Sequence, residues 1–178
     1  FKNLKNREDF EYGINTTESN LGLIDEQKGD FIEAEKKYLK IYQRRLKNKK
    51  HEDIVYSLSQ LVAINFLKGD RKSAENKLNE LDQYYERYKD LYNSKSLFTR
   101  NYGYGYVVYG AYNQSIKKFK KALKYLNISK EILKEFPTDI IELGSRFAEC
   151  YLGAGDLDMA EAVAKENLKI KNISEAEK

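Results

Sequence analysis

Apolar residues recur along most of this chain at intervals of three and four, which places them on one face of an α-helix. After Gly29 the run Phe31, Ala34, Tyr38, Ile41 and Tyr42 traces one such stripe. No segment shows the strict alternation of a half-buried strand. The spacing predicts first helices over about 10–28, 51–68, 96–109 and 138–154, each followed by a second over about 31–48, 71–91, 113–135 and 157–171. Polar breaks at 48–50, 93–94 and 136–139 separate the pairs, and Pro137 sits where a helix begins. The units are about 10–50, 51–92, 93–136 and 137–175, in a single domain that reads as a fragment of a longer chain.

Glycines set the period. Gly29-Asp30, Gly69-Asp70 and Gly155-Asp156 each lie between two helical stripes, and Gly110 falls between the last two, giving intervals of 40, 41 and 45. A glycine can end one helix in the left-handed conformation, and the following aspartate can accept the free amides that open the next. Asp30 with Glu33 has the spacing of a capping box. Beside Gly110 the next residue is Ala111, so the cap there is expected at Asn113.

Aligned on these glycines, the units carry Leu21, Gly22, Ala34 and Tyr38; Leu61, Val62, Ala74 and Leu78; Tyr102, Gly103, Ser115 and Phe119; and Phe147, Ala148, Ala160 and Ala164. This arrangement resembles the tetratricopeptide repeat, whose small residues let paired helices approach closely. Val62 departs from the pattern, as does Asn167 at a later apolar position. The period exceeds the usual 34 residues by 6, 7 and 11. About seven added residues are nearly two helical turns, which preserves the buried face. The long period is similar to that of bacterial regulators, including Gram-positive peptide-pheromone receptors.

The resemblance implies an all-α, right-handed superhelical solenoid that binds a protein or peptide in a concave groove, as the sensory or docking module of a larger regulatory protein. It also implies that certain first-helix positions line that groove. These are Asn20, Gln60, Asn101 and Arg146 at one position, and Ser19, Ser59, Arg100 and Ser145 at the preceding one; Tyr56 and Tyr104 supply flat apolar surface. A row of carboxamides can donate and accept along an extended peptide. Arg100 and Arg146 can hold a carboxylate, unless Glu142 and Glu149 neutralise Arg146. The alternatives are a pheromone-receptor-like domain that moves an attached DNA-binding domain, and a homodimerisation module.

Composition narrows the chemistry. The net charge is +4, and 41% of residues are hydrophobic, as in folded chains. One His and one Cys exclude the common zinc sites, and they exclude a catalytic dyad unless His51 and Cys150 meet. Cys150 lies in an apolar stretch and reads as a core residue. Tyr102, Tyr106 and Tyr109 share a helix face, so the glycine-rich segment around them reads as core rather than as a nucleotide loop. Lysines cluster on the second helices near 36–50 and 117–124, where nearby acids favour a solvated face over nucleic acid. No metal, cofactor or enzyme frame is expected, and no membrane span; free cysteine and abundant lysine point to the cytoplasm.

Overall fold

The computed structural model describes residues 2–176, with side chains from 10 to 170. The described chain is all-helical: α1 Lys2–Lys28, α2 Phe31–Asn48, α3 His51–Leu67, α4 Arg71–Tyr88, α5 Leu97–Ser115, α6 Phe119–Leu133, α7 Pro137–Ala154 and α8 Leu157–Ala176. A single 3-10 turn at Lys89–Leu91 follows α4. Among the described residues no helix is long and apolar enough to cross a membrane. Each helix packs mainly on its neighbours in the chain, while α3 and α5 also meet directly.

Four tight turns join the helices of each pair, and all four share one hydrogen-bond pattern. The N–H of the residue after the turn bonds a carbonyl five residues back: Asp30 to Asp25 at 2.8 Å, Asp70 to Asn65 at 2.9 Å, Lys118 to Asn113 at 2.8 Å and Asp156 to Tyr151 at 2.9 Å. The residue at each turn has positive φ, at +83° for Gly29, +77° for Gly69, +58° for Lys117 and +81° for Gly155. This is the Schellman ending of a helix, which satisfies its last carbonyls.

The third turn therefore corrects the sequence reading. Gly110 is not at a turn but inside α5, and the left-handed position falls to Lys117, with intervals of 40, 48 and 38 between turns. Asn113 caps nothing; it is buried and donates to the Tyr109 carbonyl at 2.8 Å. The expected capping box also fails at Asp30, whose side chain bonds no amide. Asp70 does cap, accepting from the Ser73 amide at 3.0 Å, and Asp156 accepts from Met159 at 3.2 Å.

Counted from the turn residues, small side chains fall into line. Five positions after each turn stand Ala34, Ala74, Ala122 and Ala160, the first three without exposed surface. Seven positions before stand Gly22, Val62, Gly110 and Ala148. A Cβ on Gly110 would lie 2.7 Å from Leu126 Cδ2, and one on Gly22 would lie 2.8 Å from the Tyr38 ring. The absence of a side chain is what lets these helices touch.

The core runs as two clusters. One joins α2, α3, α4 and α5 from Phe98 to Tyr109, with Ala34 and Ile41 at its other end; the other joins α5, α6 and α7 around Leu126, Leu143 and Phe147. Tyr102, Tyr106 and Tyr109 are core residues, as their spacing predicts. Tyr85 stacks on Tyr102 with ring centres 3.8 Å apart, and Phe66 stacks on Tyr112 at 3.9 Å. Cys150 is buried and free, and burial pushes its thiol up to about 11. His51 lies elsewhere, with Nδ1 2.6 Å from the Tyr84 hydroxyl and its ring against Tyr88, so no Cys–His dyad forms.

Candidate functional site

The candidate site is the surface made by α3, α5 and α7, and the turn at Lys117 decides which α5 side chains reach it. That turn lies seven residues later than a turn at Gly110 would. Nearly two helical turns of α5 thus slide past the expected position. Tyr104 becomes the register equivalent of Tyr56, each thirteen residues before its turn, while Val107 and Val108 replace Arg100 and Asn101 as the equivalents of Ser59 and Gln60.

Two adjoining hollows result. The first, about 290 Å³, is lined by Tyr56 from α3, Arg100, Asn101 and Tyr104 from α5, and Asp139 and Glu142 from α7. The second, about 420 Å³, is bordered by Ala63 and Leu67 of α3, Val108 and Ala111 of α5, and Arg146 of α7. Tyr104 and Val107 belong to both. These volumes fall in the range of small-ligand sites, about 300–1,000 Å³, or just below it.

Tyr104 stands between the hollows with 46% of its surface exposed. Desolvation pushes its hydroxyl above the ordinary tyrosine range, and the charges of Glu142 and Glu26 add to this while Arg146 opposes it. Groups from α1 and α7 therefore both act on one phenol of α5.

The other expected residues divide. Ser59 is not on the surface: it is fully buried, and its single hydroxyl proton is shared between the Asn101 carbonyl at 2.9 Å and the Val55 carbonyl at 3.2 Å. Asn101 borders the first hollow, but its amide donates to the Glu52 carbonyl at 3.1 Å and so ties α5 to α3. Arg100 is engaged by Asp139 through two bonds, at 2.7 and 2.8 Å, which hold its guanidinium above its ordinary pKa. Gln60 donates to Ser19 at 3.3 Å, and Asn20 stands exposed on α1. The carboxamides therefore form no continuous free row. Tyr56 is exposed with the Arg45 guanidinium 5.6 Å from its ring centre.

Arg146 differs from Arg100. Its ion pair with Glu142 is long, at 3.5 Å, and its Nε is buried without a partner. Glu149 instead accepts from Gln114 at 2.6 Å. Arg146 is thus the charged residue of an otherwise mostly apolar hollow, with donor capacity to spare.

The first lysine cluster is partly paired with acids, and in the second Lys121 lies 3.8 Å from Glu75. Lys37 meets Asp25, Lys40 meets Glu18 at 2.7 Å, and Arg44 also bonds Glu18, whose carboxyl is held below the usual range by these partners, chiefly Arg44. Among the described residues no group of three or more His, Cys, Asp or Glu could hold a metal ion.

Ala63, Val107, Val108 and Ala111 line the second hollow and are not among the residues singled out from the sequence. The signal that places the third turn is the alanine five positions after each of the others. Aligning Ala122 with Ala34 and Ala74 moves the third turn to Lys117 at once.

No protein-family model matches the sequence, and no curated protein is similar to it in sequence. Among solved structures the fold is similar to that of BtubC (BKLC) from P. vanneervenii, with a TM-score of 0.67 at 16% identity. The match covers 90% of this chain and spans 64% of that one, and it establishes likeness of fold.

Proposed function

We propose that the chain is a right-handed solenoid of four tetratricopeptide-like units that binds an extended peptide segment of a partner protein along α3, α5 and α7, as the docking module of a larger regulatory protein. The observation that carries this reading is the pair of adjoining hollows around Tyr104, the first lined by charged and polar groups beside apolar ones and the second mostly apolar with an under-used guanidinium at Arg146. Apolar walls supply the affinity, and the few polar groups fix direction. The repeated turn geometry and the alanines five positions after each turn support the repeat assignment.

The reading differs from that of the sequence in its chemistry. Side-chain pockets around Tyr104, rather than a row of carboxamides, would recognise the guest. Selection of a random displayed peptide library on the whole chain, followed by calorimetric titration of the enriched peptides, tests it. Val108→Arg puts a charge into the second hollow and should weaken those peptides at least about tenfold, or ~1.4 kcal/mol, with melting unchanged. Tyr104→Ala should weaken them by a similar factor. Enriched peptides that bind both variants as tightly as the original chain would refute the site, as would a selection that enriches none.

A further inference from the structure

The second lysine cluster takes no part in the groove, and the acids that accompany the first cluster are missing around it. Residues 91–130 contain no Asp or Glu, yet Lys117, Lys118, Lys120, Lys121 and Lys124 stand together where α6 begins. At the first, second and fourth turns the residue with positive φ is glycine and the next is aspartate; at the third turn both are lysine. The chain thus holds a side chain in the left-handed conformation at the turn where it also sets two cations, although glycine takes that conformation more readily.

The fold brings these lysines against the start of α4. Arg71 Nε donates to Glu75 at 2.9 Å, and Lys121 Nζ lies 3.8 Å from the same carboxylate. The Tyr109 hydroxyl also donates to Glu75, at 2.8 Å, so this acid is already engaged. Among the described residues Lys117, Lys118, Lys120 and Lys124 form no ion pair, and all four are exposed. Desolvation, and next the charge of Arg71, hold the Lys121 ammonium below the ordinary lysine range; Lys118 and Lys124 add to this and Glu75 opposes it. The cations of α4 and α6 therefore form one patch.

We infer that this patch docks an acidic segment of a partner protein, on a face apart from the groove of α3, α5 and α7. A short run of Asp and Glu complements it in charge, and three features favour that occupant over nucleic acid or a membrane. Lysine is a hydrated point charge suited to flexible carboxylates, whereas two-pronged recognition of phosphate favours Arg, and Arg71 is already bonded to Glu75. No aromatic ring of the patch is free to stack on bases: Tyr109 is buried, and the ammoniums of Lys121 and Lys124 lie 5.9 and 5.8 Å from the Tyr125 ring centre. Acids also flank the patch along the same edge. Glu35 with Lys68 sets the first turn beside the second, and Phe119 against Gly153 sets the fourth beside the third. Asp30 and Glu33 follow the first turn and Asp156 and Asp158 the fourth, all exposed. A duplex or an anionic lipid sheet would lay phosphates over these acids as well, and like charges repel it; a short acidic segment reaches the lysines alone.

Fluorescence anisotropy titration of the whole chain with a labelled polyglutamate peptide, at about 0.15 M salt, tests this surface. The peptide should bind, and binding should weaken as salt rises. Lys118→Glu/Lys120→Glu/Lys124→Glu should weaken it at least about tenfold. Helical signal and melting should be preserved, because the three side chains are exposed. Lys118→Gln/Lys120→Gln/Lys124→Gln should weaken it less, since it removes charge without reversing it. Lys47→Glu/Lys49→Glu/Lys50→Glu makes the same change of net charge at exposed lysines between α2 and α3, and should leave most of the binding intact. Val108→Arg should leave it unchanged, so this face and the peptide groove stand or fall separately. A polyglutamate peptide that does not bind at that salt overturns the inference. So does equal loss in the Lys47, Lys49 and Lys50 variant, or a DNA duplex or phosphatidylserine vesicle that binds the chain more tightly than polyglutamate does at the same salt.

Discussion

Lys117 offers the sharpest test of where the third unit turns. Its φ of +58° lies in the left-handed region, which costs a residue bearing a Cβ about 1–2 kcal/mol. Lys117→Gly removes that cost. Glycine also gives the unfolded chain more freedom, which takes back about 0.5–1 kcal/mol. The turn bonds from the Lys117 amide to Gln114 at 2.9 Å and from Lys118 to Asn113 use main-chain atoms, so they survive the change. The net gain is about 0.5–1 kcal/mol, or roughly 2–4 °C in Tm per kcal/mol for a chain of this size. If residues 113–135 were one helix, the same change would place glycine in a helix interior and cost about 1 kcal/mol. Urea titration followed by circular dichroism reads the sign, with Lys124→Gly, inside α6, as the control that should lose about 1 kcal/mol. A midpoint for Lys117→Gly that falls alongside the control would refute the turn, and with it the alignment that brings Val107 and Val108 to the groove.

Two further outcomes follow from packing and charge. Gly103→Ala puts a Cβ 2.6 Å from Cγ and Cδ2 of buried Leu133, so overpacking of about 1–3 kcal/mol should outweigh the ~1 kcal/mol that alanine contributes to a helix. Gly13→Ala, with nothing within 4 Å of the new Cβ, should raise the urea midpoint instead. Asp82 is held above the usual aspartate range by burial, although Tyr106 donates to it at 2.9 Å. The folded state thus binds the proton more tightly than the unfolded chain, and ionised Asp82 costs stability at neutral pH. Asp82→Asn keeps an acceptor for Tyr106, so its advantage should be present at pH 7, shrink as pH falls through the raised pKa of the folded protein, and be lost below the ordinary aspartate range. An advantage constant across pH in urea titrations would show that desolvation of the charge is not its source.

The groove illustrates how a small error in alignment changes the chemistry assigned to a site. Anchoring on glycine treats Gly110 as the third turn, because glycine takes the left-handed conformation most readily. Here the chain places lysine in that conformation and uses Gly110 for close contact with Leu126. Arg100 and Asn101 then fall at the start of α5, where they bond Asp139 and Glu52, and apolar side chains occupy the surface instead. Ser59 had the right polarity for a groove but donates inward to a carbonyl of α5.

The sequence by itself determined the helices and three of the four turns. Helical periodicity and glycine–aspartate pairs are local properties, set by backbone sterics and by which face must leave water. It also identified the tyrosine stripe of α5 as core, since three aromatic rings on one helix face have no better place than against another helix. Tertiary structure alone decided the third turn, the partners of Arg100 and Asn101, and the spare donor of Arg146. Arg100 and Asn101 find partners 39 and 49 positions away, Glu149 turns to Gln114 35 positions away, and the third turn rests on a lysine in the left-handed conformation; none of these leaves a periodic trace in the order of residues.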